Sequence, residues 1–318
     1  MLPKWNESVP LLGLFFCHNS SHGKPMKTQQ DAVDTQIVPR TSDIGQMQVK
    51  RALPSKQMRS VGSFVFWDQM GPGELLAGSG IDVRPHPHIG LATLTYLCAG
   101  NIQHRDSLGS DMVLAPGAAN LMIAGSGIVH SERSDDRSRA LNSELFGIQS
   151  WLALPQSHEE CEPAFLPYEE AILPSWQDAG VEGRLIMGSW SGMRSPVRFP
   201  AENIYLDLQM AQQARLAIPA DLPERAVYSL DRPIRIDDIV YPGETLLVLT
   251  PGREVIIEAE TGARVLVFGG EPLDAPRHLW WNFVSSRPER IEQAKRDWQS
   301  GEFAKVPGDT EWIPLPEA

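Results

Sequence analysis

The fold of this chain is decided by the stretch Arg84-Pro85-His86-Pro87-His88-Ile89-Gly90 and by a second stretch, Gly125-Ser126-Gly127-Ile128-Val129-His130-Ser131-Glu132. In an extended strand, residues i and i+2 point to the same face. Each stretch carries two side chains of the metal-ligand type separated by one residue: His86 and His88 in the first, His130 and Glu132 in the second. Two such pairs on neighbouring strands would put three imidazoles and one carboxylate on the same face of a sheet.

Three imidazoles and a carboxylate form a suitable ligand set for a redox-active divalent metal such as iron, with coordination positions left open. A second interpretation starts from the number of histidines. The chain has eight, so that one His-x-His pair can arise by chance. These residues would then be ordinary surface or core histidines. Spacing alone leaves both interpretations open.

Length, composition and net charge limit the number of domains and the kind of partner that we expect. A chain of 318 residues is long enough for two domains, each with its own core. Hydrophobic residues make up 42% and charged residues 21%, which is typical of a globular protein. The formal net charge of -12 disfavours non-specific binding to the phosphates of nucleic acids, and the sequence has no compensating basic cluster. We therefore expect no direct binding of nucleic acid.

Cysteine usage indicates a reducing compartment. The three cysteines are Cys17, Cys98 and Cys161, and none belongs to a C-x-x-C pair. Neither a disulfide framework nor a thiolate zinc site is therefore indicated. We expect three reduced thiols in a cytoplasmic protein.

The N-terminal segment reads differently from the rest. Residues 11–17 are an apolar run that is far too short to span a bilayer. They also lack the flanking charge and the small-residue cleavage site of a secretion signal. The residues that follow are polar and rich in Gln, Ser, His and Lys. We predict that residues 1–35 form a disordered extension, and we expect no association with a membrane.

From about residue 36 the sequence has the pattern of a β protein. Apolar residues alternate with polar ones or with Thr over 91–97 and 204–210, and Pro-Gly turns recur at 116 and 242. Many short strands with little helical periodicity predict an all-β chain of barrels or sandwiches. Pro85 and Pro87 cannot donate to a β-ladder, so the strand that contains them is expected at an edge or a bulge. We predict two domains, 36–165 and 166–318.

One clear helix is predicted near the C-terminus. Ser286-Arg287-Pro288-Glu289 has the S-x-x-E form of a capping box, with Pro in the first turn. Ile291, Ala294 and Trp298 follow as an apolar stripe. Packing against one barrel is the role we expect for this helix, and docking of a partner is the alternative.

The two histidine stretches and two further segments between them resemble the signature of the pirin family, within the cupin superfamily. This resemblance implies two cupin-type jelly-roll β-barrel domains in one chain, with a short C-terminal helix. It covers roughly residues 36–300. It is most specific in the first half, whereas the second half is similar mainly in strand pattern and in the run 281–286. The further segments are Thr95-Tyr96-Leu97 and His104-Arg105-Asp106-Ser107-Leu108-Gly109.

The resemblance also implies one divalent metal, Fe(II), in the N-terminal barrel. The second barrel is expected to be metal-free, because no histidine lies between His158 and His278. One departure from the family pattern is Ala92, since many pirins have Glu four residues after the second histidine. We expect this change to alter the residues that line the metal pocket. The implied ligands are His86, His88, His130 and Glu132.

The other candidate motifs do not indicate a further catalytic or phosphate-binding site. His104 is either a residue behind the metal ligands or a structural histidine, and the sequence leaves both open. Ser126 lacks the G-x-S-x-G frame of a nucleophile elbow, and no phosphate-binding glycine motif is present.

Two functions follow from the resemblance. The first is an oxygenase similar to quercetin 2,3-dioxygenases, acting on a flavonol or another enolisable aromatic substrate, with Glu132 as the general base. The second is a regulator without turnover, whose affinity for a protein partner changes with the oxidation state of the metal. The acidic charge of the chain suits a protein partner better than DNA.

Overall fold

The computed structural model describes residues 31–43 and 47–317. Most of the predicted N-terminal extension therefore lies outside the described residues. The part that is described is ordered, because Val33–Ile37 already forms a strand.

The chain is all-β, as predicted, and its first half contains twelve strands. They are β1 Val33–Ile37, β2 Arg40–Asp43, β3 Gln48–Leu53, β4 Phe64–Leu75, β5 Asp82–His88, β6 Leu91–Ala99, β7 Ile102–Asp106, β8 Asp111–Leu114, β9 Ala119–Ile123, β10 Ile128–Arg133, β11 Ser143–Ala153 and β12 Ala164–Tyr168. A short helix, α1 Asp136–Ala140, and two 3₁₀ turns, Gln156–His158 and Glu170–Ile172, are also present.

The second half has fourteen strands and one longer helix, α2 Pro288–Ser300. The strands are β13 Ser175–Asp178, β14 Val181–Met187, β15 Ser189–Trp190, β16 Met193–Arg194, β17 Asn203–Met210, β18 Ala214–Ile218, β19 Glu224–Ser229, β20 Ile234–Ile236, β21 Ile239–Tyr241, β22 Leu246–Leu249, β23 Val255–Ala259, β24 Ala263–Gly270, β25 His278–Trp280 and β26 Phe283–Ser285.

Each half is a cupin-type barrel built from one seven-stranded and one four-stranded sheet. The first half uses the orders β12-β9-β6-β11-β4-β3-β2 and β5-β10-β7-β8. The second uses β1-β22-β19-β24-β17-β14-β13 and β18-β23-β20-β21. Side chains alternate across each strand, so every seven-stranded sheet has one face inside its barrel and one outside.

The outer faces of the two seven-stranded sheets share one core. Trp67 of β4 stacks on Phe268 of β24, with ring centroids 3.9 Å apart, and Tyr205 packs beside both rings. Burying an aromatic side chain of this size stabilises the fold by about 1.5–3 kcal/mol. The interior of the second barrel is filled by aliphatic side chains such as Leu206 and Ile257.

The two ends of the chain connect the halves. Strand β1 pairs antiparallel with β22 of the second half, with Thr35 opposite Val248. At the other end, Ile291 of α2 packs with Ile89, which lies in the turn between β5 and β6. The predicted helix and its packing role are confirmed, and the barrel it contacts is the first one. None of the helices in the described ranges is long and apolar enough to cross a bilayer.

The predicted capping box is wrong. Helix α2 begins at Pro288, its N-cap is Arg287, and no side chain caps it. Ser286 instead donates its backbone N–H to Oε1 of Glu159 at 2.8 Å. Glu159 is a buried carboxylate that needs donors, so this long-range contact outweighs the local one.

Candidate metal centre

Two strands of the first barrel bring the predicted ligands together. Strand β5 pairs antiparallel with β10, and His86 lies directly opposite His130. His88 is two residues further along β5, on the same face as His86. Strand β5 is an edge strand of its sheet, as its prolines predict, and the pairing shifts by a bulge between His130 and Glu132.

The three imidazoles form a compact buried group. One nitrogen from each of His86, His88 and His130 lies within 4.8 Å of the other two. Nε2 of His88 and Nε2 of His130 are only 3.1 Å apart. Within the described ranges, this is the group of ligating side chains that could hold a metal ion.

Backbone carbonyls orient two of these rings. His86 donates Nδ1–H to the carbonyl of Arg84 at 2.8 Å, and His88 donates Nδ1–H to the carbonyl of Asn282 at 3.2 Å. A carbonyl can only accept, so both rings carry their proton on Nδ1. The lone pair of each Nε2 is then free to bind a metal.

Burial keeps the group neutral. Burial lowers the pKa of His86 to about 4, although its bond to Arg84 opposes the shift. Burial and the neighbouring imidazoles hold the pKa values of His88 and His130 well below the ordinary value of 6.5. At neutral pH all three rings are uncharged, which is the form that binds metals.

The contacts of His130 fit a cation. Its Nδ1 is buried without a partner in the described structure, and its Nε2 faces Nε2 of His88. Two facing lone pairs repel, so either a proton or a cation has to lie between them. Three neutral imidazoles suit first-row divalent metals, including iron, nickel and zinc. The residues present therefore fit a metal.

Glu132, the fourth predicted ligand, lies two residues after His130 on β10 and has a hydrogen-bond partner on a neighbouring sheet. Its Oε1 accepts a hydrogen bond from Nε2 of Gln149 on β11 at 3.0 Å. Gln149 in turn accepts one from the hydroxyl of Thr95 at 2.7 Å. Burial raises the pKa of Glu132, while the electrostatic contribution of the neighbouring His104 side chain and the bond from Gln149 partly offset this effect.

His104 lies beside the centre and has structural partners of its own. Its ring is 5.3 Å from that of His130 and stacks on Phe165. Nε2 of His104 bonds Oδ2 of Asp106 at 3.0 Å. Asp106 also accepts the backbone N–H of Ser110, which closes the turn after β7. His104 thus has a structural role at the edge of the site.

An aromatic wall borders the centre. Trp151 of β11 meets His88 edge-on, with ring centroids 5.1 Å apart. Trp151 also stacks on Phe66 at 4.0 Å. Both aromatic side chains are buried, so they exclude water from this side of the imidazoles.

The expectation that Ala92 alters the metal pocket is wrong. Ala92 is fully buried in the core between the two seven-stranded sheets, where it packs with Leu94 and Leu152. Thr95, whose hydroxyl bonds Gln149, has the opposite parity on β6 and faces the barrel interior. Position 92 therefore faces away from the metal centre.

Sequence reasoning missed three residues of the site. Gln149 and Thr95 are polar residues on the inner faces of two strands, and their parity with Trp151 and Thr93 is the signal that could have identified them. Asn282 acts through its backbone, so no side-chain pattern reveals it.

Comparisons with known proteins agree along most of the chain. The family model described as Pirin matches residues 46–152, and the model described as Pirin C-terminal cupin domain matches residues 205–304. A pirin-like protein of Caulobacter vibrioides is 42% identical over 290 residues, which cover 90% of this chain and 100% of that protein.

Two further relatives carry names that mention an activity. A Pseudomonas aeruginosa protein, provisionally named a quercetin 2,3-dioxygenase, is 35% identical over 84% of each chain. The crystal structure of a quercetin 2,3-dioxygenase from Acinetobacter baumannii is similar to this chain with a TM-score of 0.83 and 34% identity. That match covers 89% of this chain and 95% of the other.

Proposed function

The chain belongs to the pirin family, and we propose that it is a metal-binding bicupin with an oxygenase activity of the quercetin 2,3-dioxygenase type. The proposed metal is Fe(II), held by His86, His88 and His130, with Glu132 as a fourth ligand that can loosen and act as a base. The proposed substrate is a flavonol or another enolisable aromatic compound. The cytoplasmic location and the division into domains 36–165 and 166–318 belong to the same proposal.

One observation carries the proposal: three neutral imidazoles in the first barrel each place one ring nitrogen within 4.8 Å of the other two. Three histidines leave coordination positions open, which an enzyme needs and a structural metal site does not. The names of the Pseudomonas and Acinetobacter relatives support a flavonol as the substrate class.

The residues of the site divide the chemistry between them. A metal bound there would act as a Lewis acid that favours ionisation of a coordinated hydroxyl group. Glu132 lies two residues after His130 on the same strand, and its carboxylate, whose pKa is raised by burial, is the base that takes the substrate proton. Trp151 and Phe66 form an apolar border that excludes water beside His88.

The test is oxygen uptake by iron-loaded protein on addition of quercetin, with His88→Ala as the control. Uptake that matches flavonol loss and disappears in the control supports the oxygenase. Protein that carries iron and takes up no oxygen contradicts it. That outcome would favour the alternative of a regulator that binds a protein partner through a metal-dependent surface.

The role of Glu132 needs a separate test. Glu132→Gln keeps the shape of the side chain and removes the base. We expect turnover to fall about 10²–10⁴-fold at unchanged iron content, which is the usual contribution of a general base. Turnover equal to that of the wild type would remove Glu132 from the mechanism.

A further inference from the structure

A second cavity lies on the outer side of the strands that carry the histidines. Adjacent residues of a strand point to opposite faces, so Pro85 and Val129 point away from the barrel interior that holds His86 and His130. Both residues line a cavity of about 500 Å³. Helix α2 and the chain segment that follows it, residues 301–312, form the other walls. The four-stranded sheet therefore separates this cavity from the metal centre.

Three aromatic side chains line the cavity. Trp298, in the last turn of α2, meets Phe303 edge-on with ring centroids 5.8 Å apart. Trp312 is the third, and its side chain is 62% exposed. Within the described part of the chain its ring contacts no other aromatic ring. Trp312 thus presents an aromatic surface on which a planar ligand can stack.

The residues on either side of this exposed indole hold it in place. Ile313 donates its backbone N–H to the carbonyl of Pro85 at 2.8 Å, and its own carbonyl accepts from Nε1 of Trp298 at 2.9 Å. On the preceding side, Arg133 donates to the carboxylate of Asp309 at 3.0 Å. An indole that is fixed before binding loses little conformational entropy when a ligand arrives. The site is therefore preorganised.

The charges around the cavity favour an uncharged ligand. The carboxylates of Asp309 and Glu311 both accept from Nη2 of Arg133, so they are already paired. Lys305 also lines the cavity, but it is exposed and water screens its charge. An ion would lose hydration here without gaining a free buried counter-charge. The volume of the cavity is in the range of sites for small molecules.

We propose that the cavity between α2 and the C-terminal segment is a binding site for a small, uncharged, planar aromatic molecule that stacks on Trp312. The site goes beyond the proposed oxygenase activity, because the four-stranded sheet lies between it and the three histidines. Binding there requires no metal.

The test uses 2-naphthol as the probe, because it is planar and uncharged at neutral pH. The full chain is treated with a chelator, so that no metal competes for the hydroxyl group of the probe. We expect calorimetry to detect binding that is about tenfold weaker in Trp312→Ala, since a stacked ring is lost. The charged analogues 2-naphthoate and 2-naphthylmethylammonium should each bind at least about threefold more weakly than 2-naphthol.

Three variants make the test specific. Trp312→Phe keeps an aromatic ring and should retain most of the affinity. Lys305→Gln should bind 2-naphthol as the wild type does, because the ligand is uncharged. The matched control is Leu108→Ala, which removes another exposed apolar side chain that does not line the cavity. Thermal unfolding of each variant checks that the fold is retained.

Each contrary outcome has a definite meaning. Absence of binding to the wild type up to about 1 mM 2-naphthol would overturn the inference. Equal affinity in Trp312→Ala would do so too, because the probe would then bind elsewhere. Tighter binding of either charged analogue would refute the assigned ligand class. A dimer that dissociates in Trp312→Ala, without binding of 2-naphthol, would assign the indole to an interface between copies instead. The oxygen-uptake test of the proposed function is independent of all four outcomes.

Discussion

The imidazole of His88 donates its Nδ1–H to the backbone carbonyl of Asn282, at a distance of 3.2 Å and across 194 residues of sequence. Asn282 lies in the turn of the β25–β26 hairpin, near the C-terminus. Phe283, the next residue, is fully buried and packs with Ile89 and with α2. The orientation of a proposed metal ligand in the first barrel thus depends on a hairpin that lies almost two hundred residues later in the sequence.

Phe283→Ala should weaken metal binding without touching a ligand. Removing this buried ring costs about 3–5 kcal/mol of folding free energy and frees the hairpin that presents the Asn282 carbonyl. We expect affinity for Ni(II), measured by calorimetry below the unfolding temperature, to fall about 10–100-fold. Asn282→Ala keeps the carbonyl and should retain wild-type affinity. Equal losses in both variants would contradict this account of His88.

His88 and His104 should respond differently to replacement by alanine. His88→Ala should lose its metal on dialysis, as measured by elemental analysis. His104→Ala should keep the metal but lose about 1–3 kcal/mol of stability, because Asp106 loses a buried hydrogen-bond partner. If His104→Ala lost its metal as completely as His88→Ala, His104 would have to be a ligand.

Asp106 should make the stability of the metal-free protein sensitive to acid. Burial raises the pKa of Asp106, but hydrogen bonds from His104 and Ser110 outweigh burial and bring the pKa below its ordinary value of 3.8. A lowered pKa adds stability above the unfolded value, and this is lost as the pH falls through the folded value. The advantage of wild type over Asp106→Asn in urea unfolding should therefore shrink from pH 7 to about pH 3. An advantage that stayed constant over this range would refute the assignment.

Ala92→Glu should destabilise the fold and leave metal affinity unchanged in the protein that remains folded. The new carboxylate would lie in the apolar core beside Leu94 and Leu152. An uncompensated buried charge costs about 3–5 kcal/mol, which thermal unfolding would detect. Altered Co(II) affinity at unchanged stability would mean that position 92 faces the metal.

The three histidines could be predicted from sequence because their arrangement is local. Spacing of i and i+2 puts His86 and His88 on one face of any strand, and the same rule places Glu132 on the face of His130. What the rule does not contain is the bulge that shifts the pairing between His130 and Glu132. The sequence rule predicts the face on which Glu132 lies, whereas the direction in which the bulge aims its carboxylate depends on the pairing with β5.

Contacts between distant segments account for the other differences between the predictions from sequence and the structure. Alternation along β6 separates Ala92 from Thr95, but it does not tell which face encloses the metal and which meets the second barrel. Ser286 has the local signature of a helix cap, yet Glu159 takes its N–H. In both cases the deciding partner comes from elsewhere in the chain, so a local pattern cannot identify it.

The exchange of chain ends between the barrels sets an order of events during protein synthesis. Strand β1 leaves the ribosome early, but its pairing partner β22 is made more than two hundred residues later. The carbonyl that orients His88 is made later still. The nascent first barrel therefore has its three histidines long before it has their final arrangement. We therefore expect stable metal uptake only after the β25–β26 hairpin has been synthesised.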